Sequence, residues 1–265
     1  MLNEKDRIDV VLVNKKYFQT RQKAKYEIEK GNVYVDGKQI TKTSKIINYE
    51  SNIEIKGEIL KYVSRGGLKL EKAINKFSIV LKDRICADIG ASTGGFTDCM
   101  LQNGAKKVYS IDVGHSQLAD TLLNNKKVVN LEGTNIKELE SNSIEKLDFI
   151  SSDVSFISEL QVLPKIYEML KIKGKAVILI KPQFESGKGH LNKNGVVKDI
   201  KVHQKVIQNI VIFAIINLTY SPIKGPAGNI EYLLYIEKNE NNLLDLYEIK
   251  KNAIQITSEA YKELK

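Results

Sequence analysis

From Gly66 onward, short apolar segments alternate with stretches of helical periodicity, and this alternation limits the possible fold more than any other feature of the chain. The predicted strands span residues 85–89, 107–111, 128–131, 147–150, 176–180, 219–223 and 230–236. A helix is predicted before the first strand, at about 67–77, and others between the strands, including a long apolar helix from Asp199 to Asn217. Strands that alternate with helices predict an α/β fold with a parallel sheet covered on both faces. Only six residues separate the last two strands, so these two must be antiparallel.

The first 60 residues follow a different pattern. A short amphipathic helix is predicted at about 8–12, and Thr20 is a suitable N-cap for a second helix that ends near Gly31. Asp36-Gly37 then separates two short alternating segments, 33–35 and 38–40, which is a strong signal for a tight hairpin. A further strand is predicted at 53–55. Together these elements indicate a compact α+β module.

The composition is that of an ordinary globular protein, with 265 residues, 42% hydrophobic side chains and 28% charged side chains. This length allows one or two domains. Cys86 and Cys99 cannot form a disulfide framework or a four-ligand zinc site, and they are expected to be reduced thiols in a cytoplasmic protein. The longest apolar run, 210–216, is too short to span a membrane, and no secretory leader is recognisable.

The net charge of +9 is unevenly distributed along the chain. Residues 1–65 hold 14 Lys and Arg against 9 Asp and Glu, whereas the other 200 residues hold 27 against 23. The first quarter is therefore several times as basic per residue, which favours a module that meets a polyanion. A solvated lysine-rich surface without a partner explains the charge alone equally well.

A glycine-rich segment, Asp88-Ile-Gly-Ala-Ser-Thr-Gly-Gly-Phe-Thr-Asp98, follows the start of the α/β region. Such loops let the backbone approach a nucleotide at the carboxyl ends of the strands. Ser92 replaces the second glycine of the dinucleotide fingerprint, and no Gly-Lys-Ser/Thr phosphate loop is present. Asp112 ends the next strand, where an acidic side chain can bind ribose hydroxyls. The combination favours a nucleoside cofactor without phosphates, and S-adenosylmethionine fits; a tight packing turn is the other interpretation.

Four separated motifs resemble those of the TlyA (haemolysin A) family. They are the glycine-rich segment 88–98, Asp153-Val-Ser-Phe-Ile157, Lys181-Pro-Gln-Phe-Glu185 and Ser221-Pro-Ile-Lys-Gly-Pro-Ala-Gly-Asn-Ile-Glu231. Members of this family are S-adenosylmethionine-dependent ribosomal RNA 2′-O-methyltransferases with an FtsJ-like catalytic domain. The resemblance implies a Rossmann-like class I methyltransferase fold, with a seven-stranded sheet whose last strand is antiparallel and a small N-terminal α+β RNA-binding domain. It also implies methyl transfer from S-adenosylmethionine to a cytidine ribose of ribosomal RNA.

The N-terminal module is similar to the S-four-type RNA-binding domain of the same family. The positions that match its αL motif are Arg7, Thr20-Arg21, Ala24, Gly31 and Val33-Tyr-Val-Asp-Gly37. Two departures are small: Thr20 stands where the family usually has Ser, and Glu159 interrupts a usual Ser-Leu pair. We therefore expect an RNA-binding domain over 1–60, a linker over 61–66 and a methyltransferase domain over 67–265.

The family's catalytic set is a Lys-Asp-Lys-Glu tetrad, which the resemblance carries over to Lys69, Asp153, Lys181 and Glu231. The order of the predicted strands supports three of these positions. Asp153 and Lys181 follow neighbouring strands, and Glu231 opens the antiparallel strand beside the second of them. Lys69 would have to fold over the same edge of the sheet. An isolated Lys or Glu more often belongs to a surface ion pair, so this hypothesis depends on the convergence of all four.

A ribose hydroxyl is a weak nucleophile that needs a nearby base, whereas the pKa of lysine is ordinarily about 10.4. Burial and a second cation can lower the pKa of a lysine. Our hypothesis makes Lys181 the base, Lys69 the second cation and Asp153 the group that orients Lys181. Glu231 would hold Lys69 or the ribose. Alignment of the methyl group with the oxygen would supply most of the acceleration.

Two sets of binding residues follow from these motifs. The predicted cofactor residues are Asp88, Gly90, Ala91, Ser92, Gly94, Gly95, Phe96, Asp112 and Asp153. The predicted RNA-binding residues are Arg7, Lys15, Lys16, Thr20, Arg21, Lys23, Lys25 and Arg65. Residues 14–26 contain no acid, and their aromatic side chains are expected mainly in the core. Arg65 could contact RNA or cofactor, or cap local structure.

The segment 183–197 directly follows the proposed base and is rich in glycine, so it is either a lid or a surface loop. Three scattered histidines without ligand spacing, His115, His190 and His203, predict no metal site. No membrane partner is expected. The sequence does not indicate the oligomeric state.

Three alternatives stay open. A pseudouridine synthase carries the same type of RNA-binding module, but it needs a catalytic aspartate in a mainly antiparallel fold, which the parallel-type strands argue against. A non-catalytic S-adenosylmethionine-binding ribosome-assembly factor would keep the fold for binding alone. Membrane lysis, which the haemolysin name suggests, is the weakest because no amphipathic insertion segment is visible. The expected partners are ribosomal RNA or ribosomal subunits.

Overall fold

The computed structural model describes residues 4–140, 142–210, 215–239 and 246–264. Its N-terminal module contains β1 (Lys5–Arg7), α1 (Ile8–Asn14), α2 (Arg21–Glu29), β2 (Val33–Val35), β3 (Lys38–Ile40), β4 (Ile46–Asn48) and β5 (Ile53–Ile55). β2 pairs antiparallel with both β3 and β5, and β1 pairs with β4. The small α+β module is the predicted one, and the β1–β4 pair is an addition to it.

Local sequence determines how this module turns. Thr20 precedes α2, and its Oγ1 accepts the backbone N–H of Lys23 at 3.1 Å, which is the N-cap bond. Asp36 and Gly37 have φ values of +50° and +76°, and this left-handed pair makes the tight turn between β2 and β3. Apolar side chains of the helices and the sheet, including Phe18 and Ile28, then meet in one buried cluster.

The larger part of the chain is built on one seven-stranded sheet. Its strands are β6 (Ile85–Ile89), β7 (Lys107–Ile111), β8 (Val128–Leu131), β9 (Leu147–Ser152), β10 (Leu170–Ile180), β11 (Ile215–Tyr220) and β12 (Tyr232–Glu237). Its helices are α3 (Gly66–Phe77), α4 (Gly95–Gln102), α5 (Asp120–Leu123), α6 (Leu163–Met169), α7 (Pro182–Glu185), α8 (Ile200–Ile210) and α9 (Leu246–Glu263).

The strand order in this sheet is β11-β12-β10-β9-β6-β7-β8. The five strands from β6 to β10 pair in parallel, whereas β12 is antiparallel to both β10 and β11. The predicted α/β fold, Rossmann-like with an antiparallel last strand, is confirmed.

The two faces of the sheet bury different residues because side chains alternate along a strand. In β10, Val177 and Leu179 join the buried cluster formed with α3 and α4. Ala176, Ile178 and Ile180 join the cluster on the other face, formed with α6, α8 and α9. Helices therefore cover both faces, as the alternating sequence pattern predicts.

This topology gives the sheet two chemically different ends. β6, β7, β8, β9 and β10 all finish at one end, and the loops that follow them form what we call the carboxyl edge. Because β12 is antiparallel, its first residue, Tyr232, pairs with Ile180 at the end of β10, so the residue before β12 lies at the carboxyl edge too. The opposite end, where the parallel strands begin, is called the amino edge.

The segment between β5 and α3 joins the module to the sheet and is held from both sides. Glu27 of α2 is buried, and its carboxylate accepts the backbone N–H of Leu60. The backbone N–H of Val63 donates to Asp98 of α4 at 2.8 Å, and Thr20 Oγ1 donates to the Val63 carbonyl at 2.5 Å. This segment, residues 56–65, is called the junction, and its hydrogen bonds fasten it to both the module and α4.

Several predicted boundaries near the end of the chain are wrong. The helix predicted over 199–217 is too long, because α8 ends at Ile210 and β11 begins at Ile215; residues 211–214 lie outside the described residues. β11 accordingly begins four residues and ends three residues before the predicted strand 219–223. A continuous apolar run has no periodicity that separates a buried helix from a buried strand, which explains the error. Glu231 precedes the last strand by one residue instead of opening it.

Candidate active site

The glycine-rich segment 88–98 covers the end of β6, the loop 90–94 at the carboxyl edge and the first turn of α4. Gly90 has a φ of +79°, and a Cβ there would lie 2.6 Å from the Asp153 carbonyl oxygen. Only glycine lets the loop pass so close to the loop after β9. Gly94 has a φ of +93°, and a Cβ there would lie 2.2 Å from Leu122 Cδ1. Gly94 thus has a packing role beside the cofactor role that the sequence predicts.

Asp88 is buried beneath this loop. Its Oδ2 accepts the backbone N–H of Thr97 at 2.8 Å and the Thr97 hydroxyl at 2.7 Å, and its Oδ1 accepts the Ser151 hydroxyl at 3.2 Å. Burial outweighs these hydrogen bonds and raises the pKa of Asp88 to about 7. The carboxyl group fastens the first turn of α4 to two neighbouring strands and so fixes the loop in place.

Asp112 lies directly after β7 beside a pocket of ≈ 510 Å³, which we call the Asp112 pocket. Its Oδ2 accepts the backbone N–H of Ser92 and its Oδ1 that of Gly114, both at 2.8 Å. Each oxygen keeps a second lone pair, so both can also accept a hydroxyl from a bound molecule. Seven apolar and eight polar or charged side chains line the pocket, and Gln117 and Asn135 are among the polar ones.

The four tetrad candidates meet at the carboxyl edge. Asp153 Oδ1 lies 2.6 Å from Lys181 Nζ, and Asp153 Oδ2 lies 3.3 Å from Lys69 Nζ. Lys69 reaches them from the first turn of α3 and also lies 2.8 Å from Glu231 Oε2. The four charges therefore form a chain, Lys181–Asp153–Lys69–Glu231, in which opposite charges alternate.

The tetrad is largely shielded from water. Lys69 and Lys181 are each 7% exposed, and Glu231 is 1% exposed. Burial lowers the pKa of Lys69, but the carboxylates of Asp153 and Glu231 raise it more, so this pKa lies above the ordinary lysine value. Burial raises the pKa of Asp153, but the two lysines lower it further, so that it lies below its usual value. Asp153 and Lys69 are therefore charged at neutral pH.

The amino group of Lys181 has an acceptor for each of its three protons. Besides Asp153 Oδ1, it donates to the Val154 carbonyl at 2.8 Å and to Ser155 Oγ at 2.9 Å. The loop after β9 thus wraps around this amino group and fixes its position. A role as base requires one of these three protons to leave first.

A cavity of ≈ 240 Å³, which we call the tetrad cavity, opens onto these four side chains. Gly90, Ser92 and Asp153 line both this cavity and the Asp112 pocket, so the two spaces are neighbours. The predicted cofactor residues that line the tetrad cavity are Asp88, Gly90, Ala91, Ser92, Gly95, Phe96 and Asp153. Arg65 of the junction and Gln22 of α2 line it as well, so the N-terminal module contributes to the cavity wall.

Phe156 is an exposed aromatic residue beside the tetrad to which the sequence motifs assigned no role. It is 91% exposed and has a φ of +65°, a costly conformation for a bulky residue. Its ring lies 5.0 Å from that of Phe184, which itself lies 5.7 Å from Lys181 Nζ. Neither exposure nor backbone strain can be read from a sequence, so only the structure identifies this residue.

Two glutamates support the loop that carries Asp153. Glu159 is 2% exposed, and the Ser152 hydroxyl lies 3.1 Å from both of its oxygens. The Glu185 carboxylate accepts the Glu159 backbone N–H at 2.8 Å and the Ser158 hydroxyl at 2.5 Å. Burial raises the pKa of Glu159 to about 8, and the Glu185 carboxylate adds to the effect. Glu159 is thus mostly protonated at neutral pH.

We expect Glu159→Gln to stabilise the protein at alkaline pH. The unfolded carboxyl ionises near 4.5 and the folded one near 8, so wild-type stability falls as the pH rises through this interval. Glutamine has the same shape and does not ionise, which removes the loss. Thermal unfolding at about pH 5 and about pH 9 should show a higher melting temperature for the variant mainly at pH 9, by about 2–4 °C per kcal/mol. Parallel pH profiles for the two proteins would contradict the prediction.

In the N-terminal module, two predicted RNA-binding arginines share one carboxylate. Asp9 is completely buried; its Oδ1 lies 2.9 Å from Arg7 Nε, and its Oδ2 lies 2.9 Å from an Arg21 guanidinium nitrogen. The arginine side chains themselves stay 40% and 54% exposed. Asp9 thus holds two guanidinium groups side by side at the surface.

The other predicted RNA-binding residues lie in different surroundings. Lys15 and Lys16 are exposed, whereas Lys23 and Lys25 are half-buried. Thr20 is 8% exposed, and its hydroxyl is already used by the N-cap bond and by the junction. Thr20 therefore has a structural role at the junction, and its contact with RNA stays a prediction.

Within the described ranges, no helix is long and apolar enough to cross a membrane, and no group of acidic, cysteine or histidine side chains could hold a metal ion.

His203 is buried, and its ring nitrogens bind the Tyr232 hydroxyl and the Val197 carbonyl. The Asn229 side chain binds the backbone of both Gly195 and Val197, which fixes the end of the segment 183–197.

A sheet of this order, with a glycine-rich loop after one strand and an acid after the next, defines the Rossmann-like methyltransferase class. Residues 62–238 match the FtsJ-like methyltransferases, and residues 6–51 match the S4 domain. The chain therefore belongs to the FtsJ-like methyltransferase family, and its N-terminal module is an S4 domain.

Relatives are similar to the chain over most of its length, which confirms the resemblance to the TlyA family. YqxC of Bacillus subtilis, which carries a provisional rRNA methyltransferase name, is 42% identical over 100% of this chain and 97% of its own. The 16S/23S rRNA (cytidine-2′-O)-methyltransferase TlyA of Mycobacterium tuberculosis is 35% identical over 90% of this chain and 92% of its own. A solved structure from Streptococcus thermophilus, provisionally described as a hemolysin, has a TM-score of 0.79 and 39% identity, covering 98% of this chain and 97% of that one.

Proposed function

We propose that the chain transfers a methyl group from S-adenosylmethionine to a ribose 2′-hydroxyl of ribosomal RNA, at a cytidine, in the cytoplasm. The observation that carries the proposal is the Asp153 carboxylate, shared by two buried lysines next to a pocket of nucleoside size. The name of the Mycobacterium tuberculosis relative supports ribosomal RNA and cytidine as the substrate class.

The Asp112 pocket suits the nucleoside half of the cofactor. Ile111, Ile136 and Ile157 offer apolar surface to the faces of an adenine ring, and Asp112 offers its remaining lone pairs to the ribose hydroxyls. Ser92, which lines both spaces, is placed where the cofactor would pass from one cavity into the other. When bound, S-adenosylmethionine supplies an electrophilic methyl group on its sulfonium.

We expect Asp112→Ala to weaken S-adenosylmethionine binding by about 10- to 100-fold, because hydrogen bonds to a charged group contribute about 1.5–3 kcal/mol. Calorimetric titration of the full chain measures the affinity. Asp120→Ala removes another acid at the same edge, which is exposed, and serves as the control. Equal affinities in the two variants would remove Asp112 from the cofactor site.

In the proposed reaction, Lys181 accepts the proton of the ribose hydroxyl. Asp153, Val154 and Ser155 hold its amino group, so the lone pair has a fixed direction once a proton has left. Asp153 stabilises the ammonium ion that forms when the hydroxyl proton arrives. Because the geometry is prepared in advance, little reorganisation is needed during the step.

Lys69 has a different part in the proposal. Its raised pKa keeps it protonated, so it supplies a constant positive charge on the wall of the tetrad cavity. Glu231, at 2.8 Å, fixes the position of that charge. The exposed ring of Phe156 offers a stacking face for the base of the target nucleotide, since stacking on an aromatic ring works with any base.

The test is transfer of tritiated methyl groups from S-adenosylmethionine onto separated ribosomal subunits and onto naked ribosomal RNA, followed by mapping of the product. We expect incorporation at a cytidine 2′-hydroxyl. Absence of incorporation on every ribosomal substrate, with cofactor binding retained, would overturn the proposal and favour the assembly-factor alternative.

A further inference from the structure

Charge is strongly polarised between the two ends of the sheet. The residues at and next to the strand starts, 82–84, 106–107, 126–127, 145–148, 168–175 and 237–238, include eleven Lys or Arg and five Asp or Glu. The residues that follow the strands at the carboxyl edge, 90–98, 112–120, 132–138, 153–161, 181–190 and 221–231, include four Lys and nine Asp or Glu. The amino edge is therefore basic, and the carboxyl edge is acidic.

Most acids of the amino edge are already neutralised there. Asp148 lies 2.8 Å from Lys171 Nζ, Glu145 lies 2.7 Å from Lys107 Nζ, and a Glu237 oxygen lies 3.6 Å from Lys175 Nζ. The surplus positive charge consequently belongs to side chains that face water; four of them are Lys106, Lys126, Lys127 and Lys173.

The amino edge is concave as well as basic. A pocket of ≈ 480 Å³ lies between the end of α3 and the start of β10, and Arg84, Lys171, Lys173 and Lys175 line it together with Asp148 and Glu237. The lining has two more cations than anions, and Lys173 takes part in none of the ion pairs named above. The pocket can therefore take a phosphodiester, to which lysine ammonium groups bind as point charges without reading a sequence.

The two edges act as separate electrostatic surfaces. β6 has five residues, so the edges lie about 17 Å apart at about 3.3 Å per residue. This separation is about twice the Debye length at physiological ionic strength. Phosphates bound at the carboxyl edge therefore gain little from the lysines of the amino edge. If the RNA bound only at the carboxyl edge during catalysis, the basic amino edge would compete for it and hold it away from the tetrad.

We propose that the amino edge is a second binding face for the phosphate backbone of folded RNA, so that one ribosomal RNA contacts both ends of the sheet. The inference rests on the proposed function, which supplies the RNA. The S4 domain and Arg65 meet the RNA near the tetrad, and the amino edge holds a second segment of it. Folded RNA is the fitting partner because it can present two backbone segments at such a distance.

The test compares two full-length variants that lose the same number of charges. The edge variant is Lys106→Gln/Lys126→Gln/Lys127→Gln/Lys173→Gln, and none of these side chains takes part in the ion pairs described above. The control variant is Lys198→Gln/Lys201→Gln/Lys205→Gln/Lys262→Gln, whose exposed lysines lie on or next to α8 and α9. Affinity for ribosomal RNA is measured over a series of salt concentrations, together with methyl transfer and the melting temperature.

We expect the edge variant to lose about one unit of the salt slope for each lost phosphate contact and about tenfold or more in affinity, with little change in the control. If the two variants have identical salt slopes while the wild type binds ribosomal RNA, the amino edge is not a binding face, and the proposed function is unaffected. A wild-type chain that binds no ribosomal RNA would overturn the proposed function and this inference together. Vesicles of anionic phospholipid are the third probe: if the edge variant loses only vesicle binding, the face is a lipid surface and the inference is wrong.

Discussion

Replacing Lys181 by methionine is expected to lower the rate of methyl transfer by about 10²- to 10⁴-fold, the usual contribution of a general base. Methionine has nearly the length of lysine and fills the same space without a charge or a lone pair on nitrogen. S-adenosylmethionine affinity should change little, because the Asp112 pocket is lined by other residues. Single-turnover transfer onto a ribosomal substrate, at saturating cofactor, separates the chemical step from binding.

Lys181→Arg is the matched variant that distinguishes a base from a positive charge. Arginine keeps the charge and can bind Asp153, but it does not give up a proton in proteins. We therefore expect it to be as slow as the methionine variant and to stay slow as the pH rises. A rate close to that of the wild type would show that Lys181 supplies only charge, and the base would have to be sought elsewhere.

The convergence of the tetrad could be predicted in part from strand order. Asp153 and Lys181 follow neighbouring parallel strands, and Glu231 precedes the antiparallel strand beside them, so three side chains had to share an edge. Lys69 could not be placed in this way, because the position of α3 over that edge depends on tertiary packing. Its contacts with two carboxylates are visible only in the structure.

Other features could not be predicted from the sequence, and the physical reason can be given for each. Local periodicity identified the parallel sheet, but the apolar run 210–216 fits a helix and a strand equally, and the predicted helix therefore ran into β11. The pKa of Glu159 depends on burial and on Glu185, which lies 26 residues away along the chain. The charge of the amino edge is a sum over six separate segments, which only the sheet topology brings together.

Asp153→Asn is expected to destabilise the fold by about 3–5 kcal/mol, in addition to its effect on catalysis, because it removes one partner from a buried ion network. Lys69 would keep only Glu231 as a counter-charge, and Lys181 would keep only neutral acceptors. Urea unfolding of the variant and the wild type at neutral pH measures the loss. Glu231→Gln is the comparison within the tetrad; it should cost less, because Asp153 then still lies between both lysines.

The double variant Lys69→Met/Asp153→Asn tests whether the loss comes from unbalanced charge. Removing one lysine along with the shared carboxylate leaves fewer buried cations without a partner, so we expect the double variant to be more stable than the sum of the single changes predicts.

The pH dependence of this loss follows from the two shifted pKa values. The pKa of Asp153 is lowered on folding, so its contribution to the free energy of unfolding is present above its ordinary value of 3.8 and is lost only as the pH falls through the folded pKa. The pKa of Lys69 is raised, so its contribution to the free energy of unfolding is full below its ordinary value of 10.5 and is lost as the pH rises through the folded pKa. The destabilisation by Asp153→Asn should therefore be nearly constant between about pH 5 and about pH 9. Additive losses, or a loss that disappears within that range, would show that the carboxylate is not the common counter-charge of the two lysines.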